Sequence, residues 1–264
     1  MSTLKPFREA GTGAGVVCLH SSASSSGQWR SLMDRLADRF RVLAVDLYGY
    51  GVSPAWPVER ALTLSDETSL LEPAFRAAGD RFHLVGHSYG GAVALRAALD
   101  DPGRLLSLVL IEPALFSLLL LDDPEQPAAR EIVRVRDGTS AAVDLGDLSR
   151  SAEQFVDYWM GAGAWAKTPD KRRPAIVNAM TKVKAEWHAC CTEPTPLTEF
   201  SRLGVDTLYL IGSESPASSW GVARLLTSTL PNVTVVEIPG VGHMGPVTHP
   251  EKINAAIEAH LDLY

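Results

Sequence analysis

Residues 82–99 read F-H-L-V-G-H-S-Y-G-G-A-V-A-L-R-A-A-L, and this stretch decides the fold. It opens with a short apolar run, turns at Gly86-His87-Ser88-Tyr89-Gly90, and continues as an alanine-rich segment of helical character. The turn fits the pattern Gly-x-Ser-x-Gly, in which a buried strand passes sharply into a helix. Such a turn strains the backbone of the serine and projects its hydroxyl above the edge of the sheet. Ser88 is therefore the candidate nucleophile.

Short apolar runs recur along the chain and alternate with longer amphipathic segments. Continuous runs of this kind are typical of strands buried on both faces of a parallel sheet. They are Val16–Leu19, Val42–Val45, Phe82–Val85, Leu106–Ile111, Leu208–Ile211 and Val233–Ile238. Helical patterns fall between them, at Gln28–Asp38, Leu64–Ala78, Gly90–Leu99, Ala217–Leu230 and Pro250–Leu261. The alternation predicts an α/β fold with a doubly wound, mostly parallel sheet.

The alternation breaks between Pro113 and Arg202, where the sequence has no strand pattern. This stretch is mostly helical in character, with turns predicted at Asp137-Gly138, Gly161–Gly163 and residues 192–196. We interpret residues 114–203 as a helical cap inserted between two strands, and residues 1–113 and 204–264 as one α/β core. At roughly 150 residues per domain, a chain of 264 residues suits one large domain with an insertion.

Composition excludes several classes of protein. The chain is 46% apolar and 21% charged, and its formal net charge is −7. An acidic chain without a stripe of Lys and Arg is a poor candidate for binding nucleic acid or an anionic membrane. The three cysteines form no disulfide framework or zinc pattern, and the N-terminus has no apolar signal segment. We expect a cytoplasmic protein without a metal or cofactor, and the oligomeric state stays open.

A serine nucleophile needs a base, and His243 is the best candidate. It lies in the glycine-rich segment 239–246, between the last predicted strand and the last predicted helix. In an open α/β fold, this loop and the Ser88 turn lie at the same edge of the sheet, where ligands bind. His87 adjoins Ser88 but is predicted to point away from it.

These features resemble the α/β-hydrolase superfamily, in its branch of capped serine esterases and cofactor-free haloperoxidase-like enzymes. The resemblance covers residues from about Val16 to Leu261. It includes Leu19-His20 followed by Trp29, and the segment Asp46–Ser53, which resembles the structural motif Asp-x-x-Gly-x-Gly-x-Ser of that superfamily. The resemblance implies ester hydrolysis without a cofactor.

The resemblance also implies an oxyanion hole, formed by the backbone N–H groups of Ser22 and Tyr89. The oxyanion loop of the family usually reads His-Gly, whereas this chain has His20-Ser21-Ser22. His20 and Ser21 are expected to lie beside the substrate. The alternative is that the serine-rich run is only a solvated loop.

The triad acid departs from the family pattern. The family usually has Gly-x-x-Asp after the strand at Leu208–Ile211, but this chain reads Gly212-Ser213-Glu214-Ser215. Glu112 ends the strand that follows the helix after Ser88, and some α/β hydrolases, including some haloalkane dehalogenases, take their acid from this strand end. A carboxylate in so apolar a strand would be costly if it were unpaired. We therefore assign Glu112 as the acid, with Glu214 or an acid-free dyad as alternatives.

The predicted cap carries Trp159 and Trp165 on either side of its glycine-rich turn. We expect these rings to cover an apolar part of the substrate, or else to form the core of the cap itself. The cap also carries a basic cluster, interpreted as a solvated helix face: Lys171, Arg172, Arg173, Lys182 and Lys184.

Together these residues predict a carboxylesterase of class EC 3.1.1, acting on a small ester through an acyl-enzyme on Ser88. A serine nucleophile argues against the dehalogenase and epoxide hydrolase chemistry of the superfamily, which uses aspartate. The same triad could instead serve C–C bond hydrolysis, acyl transfer or perhydrolysis. A receptor-like protein that binds a small ligand with slow turnover is an alternative of another class, and a degenerate hydrolase acting through protein partners is a third.

Overall fold

The computed structural model describes residues 5–57 and 59–264. Within those residues, a sheet of seven strands has the order β1-β3-β2-β4-β5-β6-β7. The strands are β1 (Phe7–Ala10), β2 (Ala14–Leu19), β3 (Phe40–Val45), β4 (Phe82–His87), β5 (Leu105–Ile111), β6 (Thr207–Gly212) and β7 (Val233–Ile238). β1 is antiparallel to β3, whereas the other pairings are parallel. The prediction of a mostly parallel sheet is confirmed.

Helices connect the strands. They are α1 (Arg30–Leu36), α2 (Leu64–Ala78), α3 (Tyr89–Asp100), α4 (Ser117–Asp122), α5 (Pro127–Asp144), α6 (Leu148–Met160), α7 (Ala164–Lys167), α8 (Arg173–Thr192), α9 (Ala217–Thr229), α10 (Gly245–Thr248) and α11 (Pro250–Leu261). Short 3-10 helices cover Ser26–Trp29, Pro102–Arg104 and Leu197–Arg202. Of the described helices, none is long and apolar enough to cross a membrane.

Both faces of the sheet are covered, which explains why its strands read as continuous apolar runs. Successive side chains of a strand point to opposite faces. In β2, Val17 and Leu19 therefore pack with the apolar side chains of α2 and α3. Val16 and Cys18 instead pack with those of α1 and α11 on the other face. The sheet is doubly wound, as predicted.

Residues 114–203, called the helical segment below, hold α4 to α8 and the 3-10 helix Leu197–Arg202 between β5 and β6. Predicted turns at Gly161–Gly163 and residues 192–196 separate helices, as expected. The turn predicted at Asp137-Gly138 is wrong, because both residues lie inside α5. That helix packs against α6, α8 and α9, and these contacts outweigh the roughly 1 kcal/mol that glycine costs a helix.

Candidate active site

The order of the sheet reverses between β2 and β4. From β2 the chain passes outward to β3, and it then crosses back to β4 on the other side of β2. In open α/β sheets, the crevice beyond the carboxyl ends of the strands at such a point binds ligands. Ser21 and Ser22 follow β2 and Ser88 follows β4, so both segments lie at this crevice.

Ser88 has the strained backbone that its sequence predicts, with φ 54° and ψ −118°. Its N–H donates to the carbonyl of Ile111 at 2.9 Å, which ties the turn to the end of β5. Close backbone approach explains the flanking glycines. A Cβ on Gly90 would lie 2.5 Å from the carbonyl oxygens of Leu19 and His20, and one on Gly86 would lie 2.4 Å from the carbonyl oxygen of Gly90.

Ser88, His243 and Glu112 form a continuous chain of hydrogen bonds. The Oγ of Ser88 lies 2.9 Å from Nε2 of His243. Nδ1 of His243 lies 2.8 Å from Oε2 of Glu112. With Nδ1 protonated and donating to the carboxylate, Nε2 is free to accept the proton of the serine hydroxyl. All three side chains are buried.

Both carboxylate oxygens of Glu112 accept hydrogen bonds. Its Oε1 accepts from the Gly212 N–H at 2.9 Å and from the Ser215 hydroxyl at 2.6 Å. Burial alone would raise the pKa of Glu112, but the hydrogen bonds and charge of His243, with the Ser215 and Gly212 donors, lower it overall. The residues where the family usually carries its acid thus serve as donors to a carboxylate from β5. Glu214, the alternative, is exposed.

A polar network beneath this chain joins the loops after β2 and β7. Nε2 of His87 lies 2.9 Å from the carbonyl oxygen of His243, and Nδ1 lies 3.1 Å from Nε2 of Gln28. Oε1 of Gln28 in turn accepts from the N–H and hydroxyl of Ser21. Burial and the neighbouring His243 lower the pKa of His87 to about 3, so its ring stays neutral. Sequence reasoning identified neither Gln28 nor this role of His87.

The side chains of Trp159 and Ser219 also contact His243. The Trp159 ring lies over the imidazole, with 4.0 Å between centroids and 31° between planes. An aromatic face attracts a neighbouring cation, so this ring is placed to stabilise positive charge that forms on the imidazole during catalysis. The Ser219 hydroxyl lies 3.3 Å from Nδ1 of His243, beside the Glu112 carboxylate.

Ser22, in the loop after β2, lines the same cavity as Ser88, and Tyr89 directly follows Ser88 at the start of α3. The backbone amide of neither residue has an acceptor among the residues that the structure describes. The Gly90 N–H donates to the carbonyl of His20 at 3.1 Å, which fixes the β2 loop on the start of α3. Two unpaired amides beside a nucleophile can bind an oxyanion.

His20 and Ser21 are not among the residues lining the cavity over Ser88. Nδ1 of His20 donates to the Ser21 carbonyl, and its Nε2 accepts from the Leu47 N–H. Both ring nitrogens are thus used by the backbone, one in the loop after β2 and one in the segment after β3. Trp165 also lies outside this cavity lining, and its ring centroid is 5.3 Å from the guanidinium carbon of Arg173.

The cavity over Ser88 is small and is roofed by the helical segment. Its volume is about 20 Å³, which holds about one water molecule. The lining includes Ser22, Ser88, Phe116, Trp159 and Glu186. A groove of about 560 Å³ lies nearby, between the helical segment and residues 23–24 and 244–247.

The basic cluster predicted on a solvated helix face is dispersed. Lys182 contradicts the prediction, because its side chain is buried and its Nζ lies 2.9 Å from Glu67 and 2.8 Å from Glu186. Lys184, two residues later on the same helix, pairs with Asp144 at the surface. Among the described residues, no group of three His, Cys, Asp or Glu side chains is placed to hold a metal ion.

The model of the Alpha/beta hydrolase family matches residues 16–256 of the chain. The chain belongs to the alpha/beta hydrolase family. The sequence resemblance to this superfamily is thereby confirmed.

Relatives of this alpha/beta hydrolase include proteins named as an esterase and as a probable lysophospholipase. It is 24% identical to the pimeloyl-[acyl-carrier protein] methyl ester esterase of Nitrosomonas europaea, over 94% of this chain and 96% of that protein. It is 33% identical to the probable lysophospholipase BODYGUARD 2 of Arabidopsis thaliana, over 45% of this chain. That second match spans only 26% of the plant protein.

Solved structures share the fold. A thermophilic esterase from Thermogutta terrifontis is 26% identical with a TM-score of 0.74, over 97% of this chain and 92% of that one. The enol-lactonase from Burkholderia xenovorans LB400 is 18% identical with a TM-score of 0.79, over 97% of this chain and 95% of that one. The second likeness supports the fold alone.

Proposed function

We propose that this alpha/beta hydrolase cleaves small carboxylic esters through an acyl-enzyme on Ser88. The observation that carries the proposal is the unbroken hydrogen-bond chain from the Ser88 hydroxyl through His243 to Glu112. A serine is a weak nucleophile until a base takes its proton, and this order of groups supplies that base together with a residue that orients it.

In the first step, the Oγ of Ser88 attacks the ester carbonyl while Nε2 of His243 accepts its proton. The positive charge on the imidazole is stabilised by Glu112 and by the face of Trp159. The carbonyl oxygen becomes an oxyanion, which the Ser22 and Tyr89 N–H groups bind.

In the second step, His243 gives its proton to the alcohol oxygen as the C–O bond breaks, leaving the acyl group on Ser88. A water molecule then attacks the acyl-enzyme, with His243 accepting the proton of the water. Collapse of the second oxyanion releases the acid and returns the proton to Ser88.

The helical segment acts as a cap in this proposal, with residues 1–113 and 204–264 as the core. A cavity of about 20 Å³ is too small for an acyl group. Trp159 and its neighbours must therefore shift when the substrate enters, which is the usual behaviour of lids that exclude water. The groove is lined by Ala23 and Met244, the residues that directly follow Ser22 and His243 in the chain, so we assign it to the alcohol part of the ester.

Two similar proteins that are named as esterases, from Nitrosomonas europaea at 24% identity and from Thermogutta terrifontis at 26% identity, support this substrate class. We favour hydrolysis over a receptor-like role for a structural reason. The receptor-like alternative rested on the serine at the usual acid position, and that residue, Ser215, donates to Glu112 instead.

The test is intact mass after incubation with a fluorophosphonate, together with release of p-nitrophenol from p-nitrophenyl acetate. We expect one adduct per chain and ester turnover in the wild type, and neither in Ser88→Ala. Ester turnover that survives in Ser88→Ala, or the absence of an adduct on folded wild-type protein, would contradict the proposal.

A further inference from the structure

Glu186 is a second buried carboxylate at the cavity over Ser88. It lies on α8 in the helical segment, its side chain is 2% exposed, and it lines the cavity together with Ser22 and Ser88. The mechanism proposed above gives it no role. An ionisable group in so apolar a place needs partners or a ligand.

The two oxygens of Glu186 differ. Oε1 accepts from Nζ of Lys182 at 2.8 Å. Oε2 is buried and has no hydrogen-bond partner within the described part of the chain. A buried acceptor left unpaired is strongly unfavourable, and more so when it carries charge.

Glu67 contacts the same lysine, and both of its carboxylate oxygens accept hydrogen bonds. Its Oε1 accepts from Lys182 at 2.9 Å and from the Tyr89 hydroxyl at 3.1 Å, and its Oε2 accepts from the Tyr48 N–H at 3.1 Å. Glu67 does not line the cavity. The unpaired acceptor thus belongs to the carboxylate beside Ser88 and not to the lysine cluster as a whole.

Charge points the same way. Two carboxylates share one ammonium, so the cluster of Glu67, Lys182 and Glu186 has a formal charge of −1 when all three are ionised. An added hydrogen-bond donor or positive charge at Oε2 would complete the cluster.

We propose that Oε2 of Glu186 binds a hydrogen-bond donor on the acyl part of the substrate. The preferred ester then carries a hydroxyl or an ammonium group near its carbonyl, and a plain alkanoyl ester of the same length is a poorer substrate. The aromatic side chains of Phe116 and Trp187 line the same cavity. A site of this kind discriminates strongly, because the analogue without the donor leaves the acceptor unpaired.

The inference rests on the proposed function for its first test, which compares kcat/KM for three methyl esters in a pH-stat. The esters are methyl butyrate, methyl 3-hydroxybutyrate and methyl 3-aminobutyrate. We expect the wild type to prefer at least one donor-bearing ester by about 10- to 100-fold. Comparison of the hydroxy ester with the amino ester shows which donor Glu186 binds.

Glu186→Gln places an amide where the acceptor stood and is expected to bring this ratio close to one. Glu67→Gln is the matched control, since it makes the same chemical change on the same lysine away from the cavity. It is expected to preserve the ratio even where both rates fall. A wild-type ratio near one, or a ratio that survives in Glu186→Gln, would overturn the inference.

Binding separates failure of this inference from failure of the esterase proposal. Ser88→Ala protein, with no nucleophile, is titrated with the same three esters by calorimetry. We expect about 10-fold tighter binding of a donor-bearing ester than of methyl butyrate. Equal affinities, or no binding of the donor-bearing esters, would overturn the inference whether or not the wild type turns over any ester.

Discussion

Glu112 and Glu186 are both 2% exposed and both lie close to Ser88, yet their surroundings differ. Glu112, at the end of β5, accepts from His243, Gly212 and Ser215, so both of its oxygens are paired. Glu186, on α8, has one paired oxygen and one unpaired oxygen. A carboxylate with every acceptor filled is held in one geometry and serves every substrate alike. A carboxylate with an unpaired oxygen can discriminate between substrates, because only a substrate that carries a donor can pair with it.

The largest expected effect is the loss of kcat/KM when Glu112 is replaced. Glu112→Gln is expected to lower kcat/KM for every ester by about 10³- to 10⁴-fold, because an amide N–H facing Nδ1 of His243 favours the tautomer whose Nε2 cannot accept the Ser88 proton. Steady-state kinetics on methyl butyrate and methyl 3-hydroxybutyrate measure it.

Glu186→Gln on methyl butyrate is the matched comparison. This ester has no donor to lose, so we expect its kcat/KM to change by less than about 10-fold. A comparable collapse in both variants on methyl butyrate would contradict the division between the two carboxylates.

Lys182 tests how strongly the cluster around Glu186 depends on its single cation. Lys182→Met is expected to lower the free energy of unfolding by about 3–5 kcal/mol, because it leaves the buried Glu67 and Glu186 without a counter-ion. Urea denaturation monitored by fluorescence measures the change.

Lys184→Met is the control on the same helix. Lys184 pairs with Asp144 at the surface, where such pairs contribute about 0–1 kcal/mol. Equal losses of stability in the two lysine variants would mean that the buried cluster contributes no more to the free energy of unfolding than a surface pair does.

The buried His87 ring predicts that the stability of the protein depends on pH. His87 has a pKa of about 3 in the fold against 6.5 as its ordinary value, so between these pH values the unfolded chain binds a proton that the folded chain does not. Stability contributed by this group is present above pH 6.5 and is lost as pH falls, by about 1.4 kcal/mol per pH unit.

His87→Gln keeps one donor and one acceptor but does not titrate, so it is expected to make this slope shallower by about 1.4 kcal/mol per pH unit. The slope that remains comes from groups such as His20, His83 and His260, whose pKa values burial also lowers. Unfolding free energies at several pH values between 4 and 7 give the slope for each protein. His188→Gln, which replaces an exposed histidine, is expected to leave it unchanged. A slope in His87→Gln equal to that of the wild type would contradict the assigned neutral state.

The fold was largely predictable, because strands buried on both faces of a sheet leave apolar runs that the sequence displays. β1 was not predicted, since this antiparallel edge strand is half exposed and its sequence, FREA, has no apolar run. The turn predicted at Asp137-Gly138 failed for the opposite reason. The local preference of glycine for turns was overruled by helix packing, which sequence alone does not show.

The meeting of Ser88, Glu112 and His243 was predictable, because each follows a strand and the carboxyl ends of parallel strands share one edge. The contacts of Glu186, Lys182 and Gln28 were not. Lys182 reaches Glu67 across 115 residues, from one helix to another, and no periodicity marks such a pair. The sequence signal that was available, a lysine four residues before a glutamate on one helix, is common on solvated helices.

The most direct test of the account is the rate at which a fluorophosphonate modifies Ser88, followed by intact mass in the wild type, Glu112→Gln and Glu214→Gln. This reaction needs the activated serine but no acyl selectivity. We expect modification about 10³-fold slower in Glu112→Gln and unchanged in Glu214→Gln. Slow modification of Glu214→Gln with wild-type rates in Glu112→Gln would contradict it, because the acid that orients His243 would then come from the loop after β6.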